Sequence, residues 1–525
     1  METHCLRQDQ IPGASRLILD YLYRFPNLAS FYAHAPYDPA SYPAAVQQIQ
    51  YPAERRKTVA DALAMQNPQS PLIEKFRRPD TVVVATGQQV GYLGGPAYTV
   101  YKALTAIRVA AELDAQGIPA VPLFWLASED HDLAEVNHAW FYGADRQPQR
   151  YQAEENASTQ SPVGGRVAPA LRGEEFASLL GGLPFDREVI ELATAAYDGT
   201  RSYTEAFQML VQRILAPRDI LFLDPLRTEI RQAAAPLLAE AVQRFPELVA
   251  AVQDRTDELL KAGYHAQVHL EAENSFFFLL EGGQRLALKA RQGDFIAGKR
   301  SLTPDELAQR AHQISPNALL RPVLQDYLLP TACLVGGPAE IAYLAQNGPI
   351  YEALLQRKPV FLPRSGFTLF DERAARSMDR YQLSVCDFFV PEAAFVERIG
   401  RTRIPSSLLQ NMKGTSSQAQ RLLEELRCEL LAFDPTLAKA SERSRQRVAY
   451  QFEKLERKAS REVVRREEQV RVDSAYLRGL VYPEKHLQER LYSILPFLAT
   501  HGAGVVDTIA DHVSGFCPDH CVLAL

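Results

Sequence analysis

Residues 82–113 read VVVATGQQVGYLGGPAYTVYKALTAIRVAAEL. The β-branched run that begins this stretch is typical of a buried parallel strand. The residues after Pro96 predict a helix that ends near Gly117, with an apolar face formed by Ala97, Val100, Tyr101, Leu104, Ile107 and Ala111. A strand, a glycine-rich turn and a helix in this order favour the opening unit of a doubly wound α/β fold.

Later apolar runs support the same fold class. Three more candidate strands, separated by helical sequence, are AVPLFWLAS at 120–128, DILFLDP at 219–225 and PVFLPRS at 359–365. Strands that alternate with helices imply a parallel sheet covered on both faces. We therefore predict a Rossmann-like core over residues 1–385.

Two stretches interrupt this alternation and predict inserts in the core, near residues 144–216 and 255–320. The first is polar at its start and helical afterwards. The second includes 264–291, which alternates with period two around Gly282-Gly283 and predicts a β-hairpin.

The sequence changes character beyond the core, and residues 386–480 predict a helical coiled-coil region. Its apolar seam has a 3-4-3-4 spacing and consists of Leu423, Leu426, Leu430, Phe433 and Leu437. Asp434 as N-cap and Pro435 at the first helical position predict a second helix, without a breaker until Gly479. This length suits a helical hairpin or a dimer arm, and a solvated helix that braces the core is the alternative. Residues 481–525 are predicted to return to the core.

Composition narrows the class of protein. The 525 residues carry a net charge of -6, which argues against nucleic acid as the main ligand. The N-terminal sequence METHCLRQDQIPG does not resemble a signal peptide, and we expect no membrane span. Six scattered cysteines suggest a reducing compartment, so we expect a cytoplasmic protein.

The glycine-rich turn matches neither GxGxxG nor GxxxxGK[ST]. It places Thr86, Gly87, Gln88 and Gln89 at a strand end and Gly94-Gly95 before a helix, where free N–H groups could face a ligand. The alternative is a tight turn without a ligand. Gly336-Gly337-Pro338-Ala339 repeats the pattern of residues 94–97, with Glu340 in the following helical turn, and this favours two turns that line one crevice.

The densest polar cluster is SEDHDLAEVNH at 128–138, directly after a candidate strand. An Asp-oriented His131 could serve as general base, and a Mg²⁺, Mn²⁺ or Zn²⁺ site is also open. Asp132 and Glu135 have the spacing of a helix capping box. The candidate catalytic residues are therefore Glu129, Asp130, His131 and, with a competing structural role, Asp132.

A second polar cluster, RPVLQDYLLP at 321–330, contains Arg321, Gln325, Asp326 and Tyr327. Arg321 could clamp a carboxylate or phosphate, and a surface ion pair is the alternative.

Cys517, His520 and Cys521 resemble half of a zinc site, but no second cysteine pair exists, so we predict no metal there.

The motifs TGQQVGYLGGPAYTVYKA, VPLFWLASEDHDLAEVNH, RPVLQDYLLPTACLVGGPAEIAYLAQ and KHLQERLYSILPFL, taken together and in this order, resemble the BshC family of bacillithiol biosynthesis. The resemblance covers nearly the whole chain. It implies a Rossmann core with connecting-peptide inserts, similar to class I aminoacyl-tRNA synthetases, and a coiled coil that forms a homodimer. The chain lacks the HIGH and KMSKS signatures of those synthetases.

The reaction implied by the resemblance joins the carboxyl group of L-cysteine to the amine of glucosaminyl-malate, with ATP and Mg²⁺ as expected cosubstrates. It also implies substrate-binding roles for the matching residues Asn137, His138, Arg321, Gln325, Asp326, Tyr327 and Glu340. Nucleotide binding is implied for the two glycine turns, Thr86 to Gln89 with Gly94-Gly95, and Gly336-Gly337. A nucleotide-binding scaffold without ligase activity is the alternative function; a tRNA-linked nucleotidyl transferase is disfavoured by the acidic charge balance.

Overall fold

The computed structural model describes residues 4–154, 160–271 and 273–525. Residues 155–159 of the first predicted insert and Ala272 of the second lie outside this description. The strands are β1 (His4–Leu6), β2 (Val82–Gln88), β3 (Ala120–Leu126), β4 (His138–Tyr142), β5 (Pro148–Gln152), β6 (Leu221–Leu223), β7 (Asn274–Glu281), β8 (Gln284–Arg291), β9 (Asp294–Ala297), β10 (Arg300–Leu302), β11 (Ile314–Pro316), β12 (Thr331–Gly336), β13 (Val360–Pro363), β14 (Gly366–Phe370) and β15 (His520–Ala524).

The α-helices up to the coiled-coil region are α1 (Arg16–Tyr23), α2 (Ser41–Gln47), α3 (Ala53–Gln66), α4 (Leu72–Arg77), α5 (Tyr98–Ala115), α6 (Leu133–Val136), α7 (Gly173–Leu180), α8 (Asp186–Ala196), α9 (Tyr203–Leu215), α10 (Thr228–Gln243), α11 (Phe245–Lys261), α12 (Pro304–Gln309), α13 (Arg321–Leu328), α14 (Pro338–Gln346), α15 (Gly348–Leu354) and α16 (Glu372–Arg380). The later ones are α17 (Glu392–Arg403), α18 (Ser406–Phe433), α19 (Leu437–Arg466), α20 (Glu468–Val481), α21 (Gln488–Leu491), α22 (Leu495–His501) and α23 (Gly504–His512). Short 3₁₀ helices lie at Gln8–Gln10, Phe25–Leu28, Tyr92–Gly94, Val163–Gly165, Ala311–Gln313, Val385–Phe388 and Pro483–Lys485.

The central sheet is parallel and has the order β13-β12-β2-β3-β6 among the described residues. Successive residues of β2 face opposite sides, as strand geometry requires. Val82 and Val84 pack with α5 and α9 on one face, whereas Val83 and Ala85 pack with α3 and α10 on the other. This two-sided burial explains the uninterrupted apolar run and confirms the predicted doubly wound core.

The predicted strands are present, although DILFLDP forms a strand only at Leu221–Leu223. β12, which the sequence indicated only as an apolar run before the second glycine turn, lies between β13 and β2. Because the strands are parallel, the carboxyl ends of β2, β3, β12 and β13 meet at one edge of the sheet. The polar residues that follow these strands therefore converge there.

Smaller sheets surround the core. The predicted hairpin is formed by β7 and β8, which belong to an antiparallel sheet of order β10-β9-β8-β7-β11. β4 and β5 pair within the region after β3. The two ends of the described chain meet in a third sheet, where β15 pairs with both β1 and β14.

The coiled-coil region is a hairpin of α18 and α19, in which Gln420 Nε2 donates to the Arg445 carbonyl O at 3.2 Å. Leu423, Leu430 and Leu437 of the predicted seam are half-buried. Leu426 and Phe433 are 47% and 84% exposed, so the seam is only partly covered within one chain.

The predicted helix boundaries in this hairpin are wrong at both ends. Asp434 closes α18 rather than opening α19: its N–H donates to Leu430 O and its Oδ1 accepts from Thr436 N–H, both at 2.8 Å. α19 also ends at Arg466, because Glu467 has an extended backbone and α20 turns back into the core. Gly479 does not end a helix; it lies inside α20, where an added Cβ would be 2.1 Å from the Arg146 carbonyl O.

No helix in the three described ranges is both long and apolar enough to cross a membrane.

Candidate functional site

A crevice of about 370 Å³ lies at the carboxyl edge of the central sheet. This main crevice is bounded by the ends of β2, β12 and β13, by Asp130 after β3, and by α5, α13 and α14. An outer lobe of about 620 Å³ shares Asp130 and Arg321 with it. A side lobe of about 200 Å³ shares Gln88, Gln89, Tyr98 and Arg490 with it. The two sequence clusters and both glycine turns thus contribute to one composite site.

Lys102 connects the two glycine turns beneath the main crevice. Its Nζ donates to Gly87 O at 2.9 Å and to Gln88 Oε1 at 3.0 Å, and it lies 2.5 Å from Glu340 Oε2. Glu340 Oε2 also accepts from the Gly337 N–H at 2.7 Å. Burial lowers the pKa of Lys102, and the carboxylate of Glu340 opposes that effect.

Arg364, directly after β13, lines the main crevice and also forms a buried ion pair. Its Nη2 lies 2.6 Å from Glu489 Oε1, and the two side chains are 6% and 4% exposed. Glu489 Oε2 accepts from the Phe367 N–H at 2.8 Å. The neighbouring Arg490 lines both the main crevice and the side lobe. A short helix of the C-terminal region, α21, therefore helps to build the site.

The described lining residues of the main crevice include four cations and two carboxylates, and Glu489, paired with Arg364 behind the lining, reduces the local excess to one positive charge. Its cations are Lys102, Arg321, Arg364 and Arg490, and its carboxylates are Asp130 and Glu340. Arginine forks suit carboxylate and phosphate groups, because each can donate two hydrogen bonds to one anion. The electrostatics of the main crevice therefore favour an anionic ligand.

Asp130 lies where the main crevice meets the outer lobe. Gln89 Nε2 donates to Asp130 Oδ2 at 3.0 Å and to Glu135 Oε2 at 2.9 Å, so one amide joins the two carboxylates. Burial alone would raise the pKa of Asp130, but the cations Arg285 and Arg321 outweigh it and hold that pKa below its usual value. Asp130 is therefore an ionised carboxylate at neutral pH, and its Oδ1 already accepts from Arg285 Nη1 at 3.4 Å.

His131 has a different arrangement from the predicted one. Its Nδ1 is 3.7 Å from Asp130 Oδ1, beyond hydrogen-bond range, and 3.2 Å from Arg285 Nη1. A guanidinium can only donate, so Nδ1 accepts and the ring proton of neutral His131 lies on Nε2. The arrangement in which Asp130 orients His131 as a base is not formed.

Arg285, which the sequence reading did not single out, forms the wall behind this pair. Its guanidinium lies 3.7 Å from the centre of the Phe278 ring, and its Nε donates to Ser315 Oγ at 3.1 Å. Burial lowers the pKa of Arg285 to about 10. The antiparallel sheet of the second insert thus supplies a cation to the outer lobe.

The other members of the acidic cluster have separate positions. Glu129 is buried in an ion pair with Arg231, with 2.8 Å between Oε1 and Nη1. Asp132 borders the outer lobe, but its side chain makes no capping bond to α6. The predicted capping box is therefore wrong, because Glu135 is bonded to Gln89 instead.

Several predicted binding residues lie behind the site rather than in it. Thr86 Oγ1 donates to Val335 O at 3.0 Å between two strands. Asn137 is buried and its main-chain O accepts from the Ala153 N–H. Burial raises the pKa of Asp326 to about 6, and the Tyr327 ring packs 3.5 Å from the Arg55 guanidinium carbon. Arg321 and Gln325 line the main crevice, and His138 lines the side lobe.

At each glycine turn, the N–H group of the helix N-cap residue already has an acceptor. The N–H of Ala97, just before α5, donates to Tyr492 O at 2.7 Å, and that of Gly337, at the start of α14, is taken by Glu340. Gly94 and Gly95 have φ values of +83° and +65°, and an added Cβ on Gly87 would lie 2.9 Å from Trp125 O. Gly336 would place a Cβ 3.1 Å from Glu340 Cβ. These glycines permit close packing around the crevice.

Histidines, cysteines and carboxylates do not assemble into a metal site anywhere in residues 4–154, 160–271 or 273–525. His520 of the C-terminal cysteine cluster is buried, with Nε2 2.8 Å from Thr368 Oγ1.

Two protein-family models match the chain, one over the Rossmann-like core and one over the remainder. The family model described as "Bacillithiol biosynthesis BshC, N-terminal Rossmann-like domain" matches residues 1–365. The model described as "Bacillithiol biosynthesis BshC, C-terminal coiled-coil domain" matches residues 367–525. The chain belongs to the BshC family.

Curated BshC relatives align over almost the full length. A protein of Solibacter usitatus is 44% identical over 525 residues, covering 100% of both chains, and one of Koribacter versatilis is 35% identical over 533 residues, covering 99% of each. A Salinibacter ruber protein is 30% identical and covers 94% of this chain and 93% of its own. Each carries the name "Putative cysteine ligase BshC".

Of the four cations that line the main crevice of this BshC chain, the sequence indicated Arg321 but not Lys102, Arg364 or Arg490. Lys102 lies one turn after Tyr98 in α5, so an isolated lysine on a largely buried helix was the available signal. Arg364 directly follows a predicted strand, which is where ligand-binding residues of a parallel sheet collect. Arg490 and Glu489 lay within the motif KHLQERLYSILPFL, but no local pattern connected them to the core.

The Arg364–Glu489 pair predicts a large effect on stability. We expect Glu489→Gln to lower the free energy of unfolding by about 3–5 kcal/mol, because the buried guanidinium loses its anionic partner. The control, Glu247→Gln, breaks an exposed pair with Arg244 and should change stability little. Chemical denaturation at pH 7 compares the three chains, and equal losses in both variants would contradict the prediction.

The stabilisation by the Arg364–Glu489 pair should depend on pH. Burial would raise the pKa of Glu489, but Arg364 outweighs it and the pKa lies below its usual value. The ion pair stabilises the folded chain fully above about pH 4.3, the ordinary pKa of glutamate. This stabilisation is lost as the pH falls through the lowered pKa of Glu489. The gap between wild type and Glu489→Gln should therefore narrow in acid, and a constant gap would count against the ion pair as its source.

Proposed function

We propose that the chain is a ligase that joins the carboxyl group of L-cysteine to the amine of glucosaminyl-malate and forms bacillithiol. The observation that carries the proposal is the cation-rich main crevice next to the ionised Asp130. Such a pair of environments suits a substrate with an anionic malate group and a cationic amine. Membership of the BshC family, whose relatives are named as cysteine ligases, supports the same reaction.

Arg321 and Arg364 would bind the malate carboxylates or the phosphates of ATP, since both groups are anions that an arginine fork can hold with two hydrogen bonds. ATP would supply the activation that a cysteine carboxylate needs before an amine can displace an oxygen from it. Phosphate binding by the N-cap N–H groups of these two helices is not part of the proposal, because the Ala97 and Gly337 N–H groups already have acceptors.

Asp130 is the proposed acceptor for the glucosamine amine. Its carboxylate is ionised, is held by Gln89, and borders both the main crevice and the outer lobe. It would receive a proton as the amine forms its new bond to carbon. His131, whose Nδ1 accepts from Arg285, would act as a donor through Nε2 rather than as the base.

Mass spectrometry of the purified chain with L-cysteine, glucosaminyl-malate, ATP and Mg²⁺, each omitted in turn, tests the reaction. We expect an amide product that requires all three organic substrates. Release of AMP or ADP would identify the bond of ATP that is broken. Product without ATP would refute its proposed role, and no product despite nucleotide binding would favour the scaffold alternative.

The proposed roles of Asp130 and His131 predict unequal losses of activity when each residue is replaced. Asp130→Asn should lower kcat/KM by about 10²–10⁴-fold, because the amine loses its proton acceptor. His131→Gln keeps a hydrogen-bonding side chain and should lower kcat/KM by a smaller factor. Steady-state kinetics, with circular dichroism to verify folding, measures both. A loss in His131→Gln equal to or larger than that in Asp130→Asn would return the base role to His131.

We further propose that the chain is a homodimer through the hairpin of α18 and α19. Large apolar side chains on this hairpin remain exposed in one chain: Leu422, Leu426, Phe433, Tyr450 and Leu455. Burial of such residues between two hairpins would complete the partly covered seam.

Sedimentation of a double variant tests this assembly. Leu426→Glu with Phe433→Glu should convert a dimer to a monomer, because it introduces charge into the apolar contact. The control changes two exposed polar residues of α18, Gln410→Glu with Gln418→Glu, and should remain dimeric. A wild-type chain that sediments as a monomer would refute the proposal.

A further inference from the structure

The side lobe is a small pocket that opens from the main crevice. Its volume of about 200 Å³ is below the roughly 300–1,000 Å³ typical of pockets for drug-sized ligands. Gln88, Gln89, Tyr98 and Arg490 belong to both spaces and form the boundary between them. A ligand the size of a single amino acid fits the lobe, whereas a sugar conjugate or a nucleotide requires the larger spaces.

The glycine-rich turn forms the wall of this lobe with backbone atoms. Gly91 and Gly95 both line it, and an added Cβ on Gly91 would lie 3.0 Å from Gly95 Cα. Gly95 also has a φ of +65°, which strains residues with a side chain. The backbone of the turn therefore packs closely on itself at this wall, and a side chain on Gly91 would force it apart.

The side lobe pairs one carboxylate with one permanent cation among its described lining residues. Glu135 lies on the short helix α6, and its Oε2 accepts from Gln89 Nε2 at 2.9 Å. Arg490 lies on α21 at the boundary with the main crevice. An α-amino acid in its zwitterionic form carries the two complementary charges, an ammonium and a carboxylate.

We propose that the side lobe is the amino-acid subsite, in which Glu135 binds the α-ammonium group and Arg490 binds the α-carboxylate. That the amino acid is L-cysteine rests on the function proposed above. Since Arg490 also borders the main crevice, the bound carboxylate faces the space where the second substrate's amine arrives. The ion pair with Glu135 keeps the α-amine protonated, so it does not compete as a nucleophile.

Calorimetric binding of three ligands to the reduced full-length chain, without ATP, tests the subsite. L-Cysteine carries both charges, N-acetyl-L-cysteine lacks the ammonium, and cysteamine lacks the carboxylate. Wild type should bind L-cysteine about tenfold or more tightly than either analogue, as expected for hydrogen bonds to charged groups. Glu135→Gln should lose the preference over N-acetyl-L-cysteine and keep the preference over cysteamine; Arg490→Gln should show the reverse.

Glu174→Gln, the same change at an exposed position of α7 outside the three spaces, should bind as wild type does. The proposal is overturned if L-cysteine fails to bind both with and without glucosaminyl-malate, or if Glu135→Gln retains the wild-type preferences. Binding is measured without turnover, so the two proposals separate. A chain that binds L-cysteine through Glu135 but forms no amide would support the subsite and refute the ligase.

Discussion

Lys102 is 2% exposed, and a charge buried to this degree requires partners that replace the lost water. Its partners are the carbonyl O of Gly87 and the side chains of Gln88 and Glu340. The first two lie at the end of β2, and Glu340 lies at the start of α14. One ammonium group therefore fixes the separation of the two glycine turns, and with it the width of the crevice between them. The C-terminal region adds a further wall to this frame through α21.

Much of the fold was readable from sequence because its signals are local. The strand at 82–85, the hairpin around Gly282-Gly283 and the long helices depend on side-chain periodicity within a few residues. The helix break at Glu467 had no such signal. It occurs in a run without glycine or proline, where α20 buries Tyr476 and Leu477 against the core. Tertiary burial, rather than helix propensity, sets that boundary.

The location of the site was predictable from the sequence, but the hydrogen-bond and ion-pair partners of its side chains were not. Parallel topology brings Gln89, Asp130 and Arg321 to one edge, and the sequence indicated each of them. It did not indicate that Glu129 would pair with Arg231, or that Arg285 from a distant insert would occupy the Nδ1 side of His131. A cluster of consecutive polar residues alternates in direction along the chain, so neighbours such as Glu129 and Asp130 have different partners.

The glycine-rich turn shows how one sequence pattern can serve different chemistry. In nucleotide-binding folds, glycines expose N–H groups to phosphate. Here Ala97 N–H is already bonded to Tyr492 O, while Gly91 and Gly95 leave space beside Glu135 and Arg490. The absence of side chains at Gly91 and Gly95 lets the two backbone segments of the turn approach each other closely. The charges that line the side lobe come from other elements, Glu135 from α6 and Arg490 from α21.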